Sequence, residues 1–173
     1  FAGYAGTTGG RNRSPYPNGL RHLLDTEIPP FRHVINTSRP ASVMAAFNEI
    51  EGLPCHVNEW MLQDVLRKRL GCEGLLVGDY QGLNLVRWYQ KIGTSDADVG
   101  SMALKAGLQL ELPNAFGYKH LQKLVQNGSV QEQDIDTAVR QMLSLKFRLG
   151  LFEAPMRLDG DKAEALADSQ ETD

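Results

Sequence analysis

Two hydrophobic rhythms alternate along this chain, one of helical period and one of short continuous apolar runs. Leu20, Leu23, Leu24 and Ile28 fall at helical spacing, and Phe31, Val34 and Ile35 resume that face beyond Pro29-Pro30. The pattern predicts a helix interrupted at the proline pair, because proline lacks the N–H that a helix interior needs. The run SVMAAF, residues 42–47, predicts a buried strand. Asn58 is placed to cap a helix with Met61, Leu62, Val65, Leu66 and Leu70 on one side, and Gly71 is its natural stop. The run GLLVG, residues 74–78, predicts the next strand, which leads straight into Asp79.

The scheme then repeats. Ser95 caps a helix carrying Val99, Met102, Ala103 and Ala106, Gly107 ends it, and LQLEL, residues 108–112, is a strand closed by Pro113. Two further helices are expected, one near residues 116–126 and one from Ser129. Ser129 and Glu132 form an S-x-x-E capping box ahead of the stripe Ile135, Val139, Met142, Leu143 and Leu149. From about Asp159 the tail is charged and alanine-rich, as in a linker or a frayed helix.

Strand, helix, strand, helix, strand, helix implies an α/β fold with parallel pairing and right-handed crossovers. Three strands cannot close a barrel, so either half of an eight-stranded (β/α) barrel or a small open sheet fits. The chain has 173 residues, 42% of them hydrophobic and 23% charged, which is globular composition. A formal net charge of −3 argues against a nucleic-acid surface, and no apolar run approaches membrane-spanning length. Cys55 and Cys72 do not make a disulfide framework or a metal-site spacing. The chain opens at Phe1 inside the glycine-rich run FAGYAGTTGG, which reads as a piece of a longer protein.

Asp79 is the strongest candidate for chemistry. A carboxylate at the carboxyl end of a parallel strand is held rigidly while its oxygens face a pocket. Its structural alternative is the cap of a turn or of the next helix. His22, His33, His56 and His120 show no ligand spacing and read as surface or satisfied histidines. Glu111 is expected to make a structural contact rather than reach the pocket mouth, Arg11 and Arg13 are loop arginines that either contact a ligand or stay solvated, and the glycines of GTTGGRN lack a following GK[ST].

Several separated segments, in order, resemble glycoside hydrolase family 3, the β-glucosidase and β-xylosidase family. They are GGRNRSP (residues 9–15), Pro29-Pro30-Phe31, SVMAAFNEIEGLPCHVN (42–58), GCEGLLVGDY (71–80), AGLQLELP (106–113) and LKFRLGLFE (145–153). The resemblance implies the second half of that family's N-terminal (β/α)8 domain over residues 1–155. Residues 156–173 would then be a linker toward a second α/β domain, which supplies the acid/base residue. It implies Asp79 as catalytic nucleophile, with Met44, Phe47 and Tyr80 at the sugar-binding subsite, and no metal or organic cofactor. A retaining glycosidase sets two carboxyl groups roughly 5–5.5 Å apart, one attacking the anomeric carbon and one protonating the leaving oxygen.

The implied substrate is a terminal β-linked glucose or related sugar on a carbohydrate. A β-xylosidase, or a sugar-binding scaffold without turnover, is the alternative reading. GYAGTTGGRN argues against an N-acetylglucosaminidase, whose loop has another form. Phe47 stands where many relatives carry Tyr, Gly78 where Ser is usual, Cys72 where Phe is usual and Gln109 where Asp is common. Many relatives are exported, and the sequence leaves the compartment open. Taken alone, the chain is expected to be inactive as a glycosidase.

Overall fold

The computed structural model describes residues 1–153 and 159–167. The expected linker, 156–173, therefore falls partly outside the described residues. The chain divides into two compact units, Phe1–Met142 and Leu143–Asp173.

In the first unit, α1 (Leu20–His22) runs through a π-helical segment (Leu23–Glu27) into α2 (Ile28–Ser38). The expected interruption at Pro29-Pro30 is not a break. Both prolines follow directly on the π-helical segment, which absorbs the mismatch of their missing N–H groups, and the helix continues through them. Leu23, Ile28 and Ile35 are buried on the inner face.

Strand β1 (Ser42–Met44) follows, shorter than the apolar run predicted. The hairpin β2 (Glu49–Ile50) and β3 (Leu53–Pro54) comes next, turning through Glu51 and Gly52, both at positive φ. A short 3₁₀ turn, Cys55–Val57, leads to a π-helix, Trp60–Arg69. Asn58 caps it as expected, its Oδ1 accepting the Met61 N–H at 3.1 Å. Gly71, at φ 68°, stops it. One face of this helix, with Met61, Leu62, Val65 and Leu66, is fully buried. Each such side chain stabilises by about 1.5–3 kcal/mol relative to exposure.

Then come β4 (Leu75–Tyr80), α3 (Gly82–Trp88), α4 (Asp96–Lys105) and β5 (Leu110–Leu112). Ser95 caps α4, its hydroxyl oxygen accepting the Asp98 N–H at 3.1 Å. The three main strands form one parallel sheet in the order β1-β4-β5, with Met44 opposite Val77 and Val77 opposite Leu110. Leu76, Leu83, Val86, Val99 and Leu108 fill the space between sheet and helices. Where α4 passes the turn at Gly117, a Cβ on Gly100 would stand 2.6 Å from the Gly117 carbonyl oxygen, so backbone meets backbone there.

A 3₁₀ turn, Tyr118–His120, and α5 (Leu121–Gln126) precede α6 (Glu132–Arg148). The capping box at Ser129 does not start α6, which begins at Glu132. The Ser129 N–H instead closes the preceding turn on the Asn127 side chain at 3.0 Å. None of the α6 side chains is fully buried: of the predicted apolar stripe, Ile135 and Met142 are half-buried, Ile135 against the cluster of Leu104, Leu124 and Val130, while Val139 and Leu143 stand exposed. In the second unit the Phe147 and Phe152 rings pack at 4.5 Å, and α7 (Gly160–Ala167) is a short helix.

Candidate active site

The β1–β4 ladder ends one rung early, and that gap organises the site. The Ala45 N–H donates to the Val77 carbonyl at 2.9 Å. In a parallel pair the next bond would run from the Asp79 N–H to the Ala45 carbonyl. Instead the Asp79 N–H donates to Nε2 of His56 at 3.0 Å. On its other edge β4 bulges: Val77 faces Leu110 and Tyr80 faces Leu112, three steps against two. A bulge of this kind re-aims the residues inside it, here Gly78 and Asp79.

His56 is 1% exposed. Burial, followed by the nearby positive Phe1 amine, pushes its pKa down to about 4, against a hydrogen bond to the Ala46 backbone that raises it. The ring is therefore neutral near pH 7. Because Nε2 accepts from Asp79, Nδ1 carries the proton and donates to Ala46. The Phe47 ring lies beside it, with centroids 5.8 Å apart, and Gly82 leaves the space that the imidazole fills. The expectation of a satisfied histidine holds. What the sequence did not disclose is that its partner is Asp79, 23 positions away. The Glu51-Gly52 hairpin turn was the available signal, since a two-residue turn fixes the register that delivers His56.

The Asp79 carboxylate is half-buried, and its Oδ1 accepts the Tyr80 N–H at 2.6 Å. Among the described residues its Oδ2 makes no hydrogen bond. Met44 (49% exposed) ends β1, Tyr80 (65% exposed) ends β4, and Phe47 is half-buried. All four residues singled out in the sequence thus sit at the carboxyl end of the sheet or in the loop that continues it. The guanidinium of Arg13 lies 5.8 Å from the Phe47 ring centroid, which brings the glycine-rich loop to the same place.

Other candidates lie elsewhere or do other work. Glu111 is buried and accepts the N–H groups of Gly117 and Tyr118 at 3.1 and 2.9 Å, the structural contact expected of it. Burial raises its pKa, and those backbone donors oppose the rise. Gln109 immediately precedes β5, at the far end from Asp79, with its N–H on the Leu76 carbonyl. A cleft of about 550 Å³ opens at that same far end, lined by Gln63, Arg67, Gln109, Asp134 and others. Gln63 and Arg67 there are already bonded to backbone carbonyls, so the cleft does not displace Asp79 as the candidate. Among the described residues no group of three or more His, Cys, Asp or Glu could hold a metal ion, and no helix is long and apolar enough to cross a membrane.

A parallel α/β wall with a carboxylate at the carboxyl end of a strand is the arrangement of the α/β proteins, barrels and open sheets alike, whose sites are built there. The profile of the glycosyl hydrolase family 3 N-terminal domain matches residues 1–145. The chain belongs to glycosyl hydrolase family 3, and its sheet and helices are part of that family's (β/α)8 barrel. It is 32% identical to a putative β-xylosidase of Formosa agariphila over 90% of this chain and 20% of that protein. It is 30% identical to a periplasmic β-glucosidase of Salmonella typhimurium, over 94% of this chain and 21% of that one. A solved β-glucosidase of intestinal bacteria, involved in saponin metabolism, superposes with a TM-score of 0.93 at 34% identity, over 99% of this chain and 22% of the other. The chain spans about a fifth of the length of the curated relatives it matches.

Proposed function

We propose that these residues work within a longer retaining β-glycosidase, with Asp79 as its nucleophile. The observation that carries this reading is the fixing of Asp79 at the strand end, Oδ1 on the Tyr80 N–H and Oδ2 free to attack. In the reaction an Asp79 oxygen bonds to the anomeric carbon as the bond to the leaving oxygen breaks. That oxygen takes a proton from an acid outside this chain. Water then attacks the glycosyl-aspartate and releases the sugar. Met44, Phe47 and Tyr80 wall the first sugar, offering apolar and aromatic surface beside the carboxylate. The relatives named β-glucosidase and β-xylosidase support a terminal β-linked glucose or a close relative as substrate.

Residues 1–155 are the second half of the barrel in this reading, and 156–173 lead to the domain carrying the acid. The 173-residue chain alone then turns over no glycoside. Measurable release of nitrophenol from nitrophenyl β-glucoside by the purified piece would refute that part. The reading as a whole is tested by a 2-fluoro glucoside that traps the nucleophile in the full-length protein. Peptide mass spectrometry is expected to find the sugar on Asp79. A label elsewhere overturns the assignment, and hydrolysis without any label points away from a covalent intermediate.

A further inference from the structure

We propose that His56 is a positioning residue for the Asp79 carboxylate, a clamp that replaces the missing rung of the β1–β4 ladder; this rests on Asp79 being the attacking group. The argument begins with the backbone. Strand β1 stops at Met44 and the chain leaves the sheet after Ala45, so the Asp79 N–H loses its regular acceptor. An amide left open at this part-buried strand end is destabilising, and only a group delivered from outside the ladder can satisfy it. The hairpin β2–β3 delivers one. The Cys55–Val57 turn follows it directly and carries the imidazole to within 3.0 Å of that amide.

The clamp has two jaws. Nε2 takes the Asp79 N–H, and the Nδ1 proton goes to the Ala46 backbone. One ring therefore joins the end of β4 to the loop that carries Phe47 away from β1. The ring cannot swing. Phe47 lies against it, and a Cβ on Gly82 would fall 2.1 Å from Nε2. With its own amide held by His56 and its Oδ1 held by the Tyr80 N–H, Asp79 has the backbone and one oxygen fixed, while the other oxygen is presented to the pocket. A backbone shift of about 1 Å here changes the attack geometry directly, and misplacement on that scale costs up to about 100-fold in rate.

The full-length protein tests this with two variants. His56→Gln places an amide oxygen at the reach of Nε2 and keeps an acceptor for Asp79; His56→Leu keeps bulk and loses the acceptor. Both give up the ring contact with Phe47, and His56→Leu, which also leaves the Asp79 N–H open, should melt lower, so kcat is compared well below both melting temperatures. The clamp predicts that they separate in catalysis: His56→Leu drops kcat roughly 10- to 100-fold with KM little changed, and His56→Gln recovers most of it. Equal kcat in the two variants, or a wild-type kcat in His56→Leu, overturns the proposal. Should His56→Leu fail to fold, the ring ¹⁵N signals of the wild-type protein decide, with a bare Nε2 and a protonated Nδ1 expected and a protonated Nε2 fatal. If the wild-type protein neither hydrolyses glycosides nor takes the fluoro sugar, the Asp79 assignment falls, and the ring signals still report whether the clamp exists.

Discussion

Arg67 donates from Nη1 to the Cys72 carbonyl at 2.7 Å and from Nη2 to Oε1 of Gln109 at 3.2 Å. That one amide oxygen also accepts the Leu76 N–H at 2.5 Å. The Gln109 side chain thus ties the start of β5 to β4 and to the end of the Trp60–Arg69 helix. The glutamine here bears on packing at the end of the sheet remote from Asp79.

Gln109→Ala removes the acceptor of one Arg67 N–H and of a strand N–H at once. It should cost about 1–3 kcal/mol of stability, read as a fall in the urea midpoint. An unchanged midpoint would contradict the bonding described.

Gly82→Ala is expected to be worse for activity than its size suggests. The added carbon overlaps His56 Nε2 at 2.1 Å and must displace the ring, costing about 1–3 kcal/mol and lowering kcat in the full-length protein. Gly78→Ser is the contrasting case. A Cβ there meets the Leu110 carbonyl and His56 Cδ2 at 3.4 and 3.5 Å, so stability should stay within about 0.5 kcal/mol. The reverse ranking of these two would remove the packing argument.

Stability should fall as acid is added through the window set by His56. Its folded pKa, about 4, lies below the ordinary 6.5, so the unfolded chain binds the proton first. The contribution is complete above pH 6.5 and is lost as pH drops toward about 4, amounting to roughly 3 kcal/mol. Denaturation midpoints measured across that range, wild type against His56→Gln, should differ in slope. Parallel curves would count against a buried neutral ring.

Asp79→Asn in the full-length protein should abolish turnover by removing the attacking oxyanion while leaving the fold unchanged. Isosteric replacement keeps the acceptor for the Tyr80 N–H, so the circular dichroism melt should match the wild type. Undiminished hydrolysis would sink the nucleophile assignment.

What the sequence disclosed was what local chemistry decides. Asn58 and Ser95 capped the helices predicted of them, and the acid after the apolar run sat at a strand end as expected. Where residues distant in sequence compete, local rules lost. The run 42–47 kept only its first half as strand because the chain after Ala45 turns into the loop carrying Phe47. Pro29-Pro30 read as a break because the pattern cannot show a π-helical segment upstream. The pairing of His56 with Asp79 depends on a hairpin whose Glu-Gly turn lacks the usual Asn-Gly signature.

The bare contact between Gly100 and Gly117 carries a lesson about tolerance. A methyl group on Gly117 would land 2.7 Å from the Gly100 Cα, as one on Gly100 would land on Gly117. Two missing side chains thus act as a spacer of zero thickness between the outer helix and the loop that Glu111 anchors. Enlarging either residue would pry the helix away from that loop, so a change at the rim of the wall would reach the element that Glu111 holds in place.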